Sequence, residues 1–60
     1  MNVTEYIVQV RVREAKRLLE STDLTILQVS QQVGYATDIG FIRVFKKQEG
    51  ITPGKYREML

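Results

Sequence analysis

Neither cysteine nor histidine occurs anywhere in this chain of 60 residues, and that double absence decides how it can be held together. Without cysteine there are no disulfides and no thiolate metal sites. Without histidine the commonest metal ligand and the commonest general base are missing as well. A chain of this length buries only about 60% of the surface its unfolded form exposes. Its core is then worth roughly 3–5 kcal/mol, and side-chain packing must supply nearly all of it. The hydrophobic share of 43% and charged share of 27% are those of a folding chain, not a disordered one. No apolar run approaches the roughly 18 residues of a membrane span, and no signal-peptide pattern opens the chain. The expectation is a cytoplasmic domain, with no membrane, metal or cofactor partner, that recognises another molecule.

Nine Lys and Arg against seven Asp and Glu leave a net charge of only +2, so distribution matters more than the sum. From Ile39 to Gln48 the chain carries Arg43, Lys46 and Lys47 and no acid. Arg11, Arg13, Lys16 and Arg17 are instead interleaved with Glu14 and followed by Glu20 and Asp23, which reads as a solvated helix face.

The apolar spacing predicts an all-α chain of four helical stretches. Over 4–20, Ile7, Val10, Ala15, Leu18 and Leu19 recur close to a 3.6-residue period. Val8 and Val12 add a second stripe beside the first. The plain reading is β-branched decoration; the functional one is a face that covers something outside this segment, a partner subdomain or another copy. Ser21–Leu24 is a break of cap and turn residues. Thr25 opens a second helix, with Gln28 placed to complete a capping box, and Gly34 ends it. Thr37 caps a third helix in which Asp38 suits the positive end of the dipole. That helix turns Phe41, Val44 and Phe45 inward and Ile39, Ile42, Arg43, Lys46 and Lys47 outward. Gly50 stops it, and Thr52-Pro53 starts a short closing helix over 52–60, with Ile51 and Tyr56 placed for a hydrophobic staple.

A helix, a tight Gly-containing turn and a second helix with a basic outer face make a helix-turn-helix over 25–48. Ser30 is small enough for two helices to cross closely, and Gly34 turns the chain without a Cβ penalty. Arg43 can fork onto guanine O6 and N7, whereas Lys46 and Lys47 suit phosphates. Ile39 and Ile42 can press on thymine methyl groups. The amides around Thr25 and Ile26 face a phosphate position. The rival readings are a merely wet helix face, or a protein-interaction module that uses Ile39 and Ile42 or the first helix's stripe. Thr37 and Asp38 are first of all a cap, and Tyr35 a core residue. No base, nucleophile and Gly-rich phosphate loop come together, so an enzyme is not expected.

The run Arg11-Val12, Ala15-Lys16, Leu18-Leu19 and Thr22-Asp23-Leu24-Thr25-Ile26 resembles the linker helix, and the segment after it, of the AraC/XylS family of bacterial transcription regulators. Val29-Ser30, Val33-Gly34-Tyr35, Phe41, Val44-Phe45-Lys46-Lys47, Gly50-Ile51-Thr52-Pro53 and Tyr56-Arg57 match that family's C-terminal signature. The resemblance covers nearly the whole chain. It implies a homeodomain-like three-helix core preceded by a long linker helix, in one domain over 1–60. It also implies double-stranded DNA as the partner, with the first helix-turn-helix of the family's two-unit module absent from these residues. In that frame Val8 and Val12 would face the absent unit. Asp38, Ile39, Gly40, Ile42 and Arg43 fall where the family contacts bases or the adjoining backbone, and Lys46 and Lys47 fall at its frequent basic pair; Thr37, Lys46 and Lys47 are expected at phosphates. The chain departs from the pattern in three places. Ile39 stands where a small polar residue is usual, Gly40 where a larger side chain is usual, and Ser30 where Ala is commoner. Gly40 costs about 1 kcal/mol of helix propensity relative to Ala.

Overall fold

Four helices account for the computed structural model, which describes Met1–Leu60: α1 (Val3–Ser21), α2 (Ile26–Gln32), α3 (Asp38–Glu49) and α4 (Pro53–Glu58). Each begins on a side chain able to accept from the free amides of a first turn. Asn2 and Glu5 form a capping box at α1, with the Glu5 amide donating to Asn2 Oδ1 at 2.8 Å. Thr25 and Gln28 form the same box at α2. Thr37 accepts from the Gly40 amide, and Thr52 from the Lys55 amide with Pro53 behind it. Helix α1 starts one residue ahead of the expected position, because the Asn2–Glu5 box supports an additional residue at its N-terminus.

The turn between α2 and α3 is a Schellman motif. The Tyr35 amide donates to the Ser30 carbonyl at 2.9 Å and the Gly34 amide to that of Gln31 at 3.2 Å. Gly34 sits at φ 104°, a left-handed conformation that costs a side-chain-bearing residue about 1–2 kcal/mol. Gly50, at φ 83°, ends α3 with its amide on the Lys46 carbonyl.

Val12, Ala15, Leu18 and Leu19 of α1 meet Val29 and Val33 of α2's end and Phe41 and Phe45 of α3 in one core. Phe41 and Phe45 are fully buried, and each contributes about 1.5–3 kcal/mol by leaving water. Tyr35, Phe41, Phe45 and Tyr56 follow one another at centroid distances of 5.7–5.8 Å with tilted planes. This ladder links the turn, α3 and α4. Tyr35 is thus a packing residue, as expected. Arg57 binds α4 to the rest: its guanidinium donates to the carbonyls of Leu19, Thr22 and Leu24. The Leu19 carbonyl is one of those that the end of α1 leaves without a helical partner.

The stripes of α1 are arranged differently from the expectation. Val12, expected to face a partner, is 3% exposed inside the core, and Val8 packs against that core. Ile7 and Val10, expected inside, are exposed, and with Val3 (75% exposed) and Tyr6 (62%) they form the uncovered stripe. The reason is geometric. Residues 8, 12, 15 and 19 succeed one another in steps of four, three and four, which keeps them on one side of a helix. Leu19 and Ala15 commit that side to the core, and Val8 and Val12 go with them.

Candidate nucleic-acid interface

Helix α3 is held from one side and bare on the other. Phe41 and Phe45, one turn apart, are fully enclosed. Ile39, Arg43, Lys46 and Lys47 are exposed, and Ile39 keeps 68% of its surface free. Arg43 stands at the centre of this ridge, with Ile39 and Gly40 one turn before it and Lys46 and Lys47 one turn after. No side-chain hydrogen bond or ion pair within the chain engages any of these three cations. Ile42 does not belong to the ridge. It is half-buried and packs against the core, as does Val44, because both lie on the flanks of the phenylalanine face. Asp38 is half-buried in the first turn, beside the Thr37 cap.

The acid that follows the ridge in sequence is paired across the fold. Glu49 pairs with Lys16 of α1 at 3.0 Å, and the same ammonium lies over the Tyr56 ring at 5.8 Å. Other bases of α1 are likewise engaged. Arg11 stacks on Tyr35 with its guanidinium carbon 5.2 Å from the ring centre. Arg17 donates to both carboxylate oxygens of Glu14 through Nε, at 3.1 and 3.0 Å. That pairing holds the Glu14 carboxyl below its ordinary range and raises the Arg17 guanidinium. Three of the four bases of α1 are therefore held in separate contacts, two of them half-buried, and Arg13 alone is exposed without a partner.

At the start of α2 the capping box employs the Thr25 amide, which donates to Gln28 Oε1 at 2.8 Å, and the Thr25 hydroxyl, which accepts from the Gln28 amide at 3.1 Å. The Ile26 amide stays open at the first helical position, although its side chain packs against the core. Exposed Leu27, Gln28, Gln31 and Gln32 make the outer side of α2, which carries no charge at all. Two features lie outside what the sequence led one to expect: the Arg57 contacts to carbonyls more than 30 residues away, and the exposed Val3, Tyr6, Ile7 and Val10 stripe. The second had a local signal in the spacing of α1; the first had none. No helix is long and apolar enough to cross a membrane.

Residues 1–59 match the model of a helix-turn-helix domain family. The chain is 36% identical over 58 residues to the Msm operon regulatory protein of Streptococcus mutans, covering 97% of this chain and 21% of that one. It is 42% identical over 59 residues to the bifunctional transcriptional activator/DNA repair enzyme AdaA of Bacillus subtilis, covering 98% of this chain and 28% of that one. The chain thus spans roughly a fifth to a quarter of the length of these relatives. Among solved structures, the C-terminal domain of the two-component response regulator yesN from Fusobacterium nucleatum superposes with a TM-score of 0.93 at 38% identity, over 95% of this chain and 55% of that one. The DNA-binding domain of the global transcriptional factor AdpA, solved in complex with a target DNA, superposes with a TM-score of 0.94 at 27% identity, over 98% of this chain and 53% of that one.

Proposed function

Since the chain belongs to the AraC-type helix-turn-helix family, we propose that it binds double-stranded DNA in transcription regulation, with α3 docking in the major groove. The observation that carries this reading is the ridge of exposed Ile39, Arg43, Lys46 and Lys47 on a helix anchored from behind by two buried phenylalanines. A major groove is wide enough to admit an α-helix, anchoring from behind keeps the reading face of that helix in place, and the phosphates on either side favour cations that have no partner of their own. In this assignment Asp38, Ile39, Gly40 and Arg43 face base edges or the adjoining backbone. Ile42 reaches only the margin, being half-buried. Thr37, Lys46 and Lys47 sit at phosphates, and the open Ile26 amide next to Thr25 meets another. The likeness to a domain solved with its target DNA supports the same assignment. The chain's role is binding; these residues are assigned no reaction, and the site of action is the bacterial cytoplasm, where the DNA lies.

The experiment is a salt titration of the 60-residue chain on a labelled duplex. Three or four phosphate contacts predict a slope of log K against log salt of about −3. A slope near zero, or no binding at low salt, overturns the reading.

A second contact is favoured by a separate observation, the uncovered Val3, Tyr6, Ile7 and Val10 stripe. We assign it to a first helix-turn-helix unit, since both solved neighbours extend well beyond the part that matches. Sedimentation tests the competing occupant: a concentration-dependent dimer would transfer the stripe to a second copy of the chain.

A further inference from the structure

Gly40 is a glycine that the fold does not require. It lies inside α3 at an ordinary helical conformation, and an added Cβ would find only the Thr37 hydroxyl, at a comfortable 3.7 Å. Nothing within the chain therefore compensates for the helix propensity that glycine forfeits. Its neighbours are as telling. Ile39 precedes it and is 68% exposed, although isoleucine gains nothing from water. Arg43 comes one turn later on the same ridge. A bare backbone position flanked by an exposed aliphatic side chain and a free guanidinium is a contact surface shaped for close approach.

We infer that Ile39 reads a pyrimidine 5-methyl group in the major groove, within about two base pairs of the base read by Arg43, and that Gly40 lets the groove edge come against the helix between them. The inference rests on the proposed docking of α3 in DNA. The chemistry selects the methyl group because it is the apolar feature that a base edge offers there, and an aliphatic side chain has no hydrogen bond to give. The spacing comes from the helix: four residues rise about 6 Å, against about 3.4 Å per base step. Ile42, the other aliphatic candidate, is withdrawn against the core and leaves the role to Ile39.

The test starts from the duplex that the 60-residue chain retains best from a randomised pool. Each thymine is replaced singly by deoxyuridine, which removes a methyl and keeps every hydrogen-bonding group. One replacement is expected to weaken binding about fourfold, the worth of one buried methyl-sized group. A 5-methylcytosine on the same strand position should bind better than cytosine by a similar factor. In I39A that thymine-to-uracil difference should vanish while the salt slope stays unchanged. G40A should leave Tm unchanged or raise it by a few degrees, since alanine is the better helix former and its Cβ meets no clash there, yet bind the retained duplex several-fold more weakly. A duplex indifferent to every deoxyuridine, or a methyl effect that survives in I39A, removes the reading of Ile39. Undiminished affinity in G40A removes the close approach. A pool from which nothing is retained overturns DNA binding itself, a different and separately visible failure.

Discussion

The guanidinium carbon of Arg11 lies 5.2 Å from the ring centre of Tyr35, which ties the middle of α1 to the turn that precedes α3. The same guanidinium closes over Gly34, where a Cβ would come within 3.2 Å of it. Arg11 is half-buried, so the stacking is partly withdrawn from water and worth about 1 kcal/mol. R11A is expected to lose that much stability in urea denaturation. Combined with Y35L it should show a coupling of about 0.5–1 kcal/mol, as residues in contact do. Strictly additive losses would reduce Arg11 to a space-filler.

Which parts of this architecture the residues announce, and which they conceal, depends on range. The caps at Thr25, Thr37 and Thr52 and the stops at Gly34 and Gly50 are local, satisfied within three or four positions, and each is found where the sequence leads one to expect it. The inward face of α3 is legible for the same reason, since two phenylalanines four apart leave one choice of side. Helix α1 offers two adjacent aliphatic stripes, and choosing between them needs the phase fixed by Ala15 and Leu19, which sends Val8 and Val12 inward. The ridge of Arg43, Lys46 and Lys47 could be read from charge pattern, but the withdrawal of Ile42 depends on packing against elements distant in sequence.

Tyr56 provides a pH dependence of definite sign. Its hydroxyl donates to the Glu20 carboxylate, and this hydrogen bond, followed by burial and the charges of Glu20 and Glu49, pushes the phenol from 10 up to about 12. The folded chain thus holds the phenolic proton more tightly than the unfolded chain, whose tyrosine titrates near 10. The stabilisation is complete below about pH 10 and is lost as pH rises from there towards 12. At pH 8, Y56F is expected to be less stable by about 1 kcal/mol, the net worth of one such bond. The gap between wild type and Y56F should close between pH 10 and 12. A gap that stays constant over this range would deny the bond its role.

Arg43 and Lys46 divide the proposed docking between them in a way that titration separates. A guanidinium forked onto guanine discriminates among bases by about 1–3 kcal/mol, so R43A should lose that much on the preferred duplex and relax the preference at one base pair. Lys46, as a point charge at a phosphate, should when replaced by alanine weaken every duplex alike and flatten the salt slope by about one unit. Equal losses on all sequences in R43A would move Arg43 to the backbone. A K46A variant with altered selectivity and an unchanged slope would bring Lys46 to a base.

Arg57 is the residue on which the last helix depends. Its guanidinium reaches the carbonyls of Leu19 and Thr22 at 3.3 and 3.2 Å, and that of Leu24 as well, so one side chain serves the end of α1 and the loop into α2. Helix α4 has only six residues and cannot persist by itself, since isolated helices so short are unstable in water. Removing the guanidinium leaves half-buried carbonyls without a donor and α4 without its main polar attachment. R57M keeps the aliphatic stem and should cost about 2–3 kcal/mol, a large share of what a core this small supplies. R57K should recover only part of that loss, because an ammonium is a single point and lacks the planar fork that meets separated acceptors. Amide exchange distinguishes the local from the global effect. Protection of the Tyr56 and Met59 amides, which bond to the carbonyls of Thr52 and Lys55, should fall further in R57M than that of the Val29 amide in α2. A uniform fall along the chain would make Arg57 a support of the whole core and not the clasp of α4.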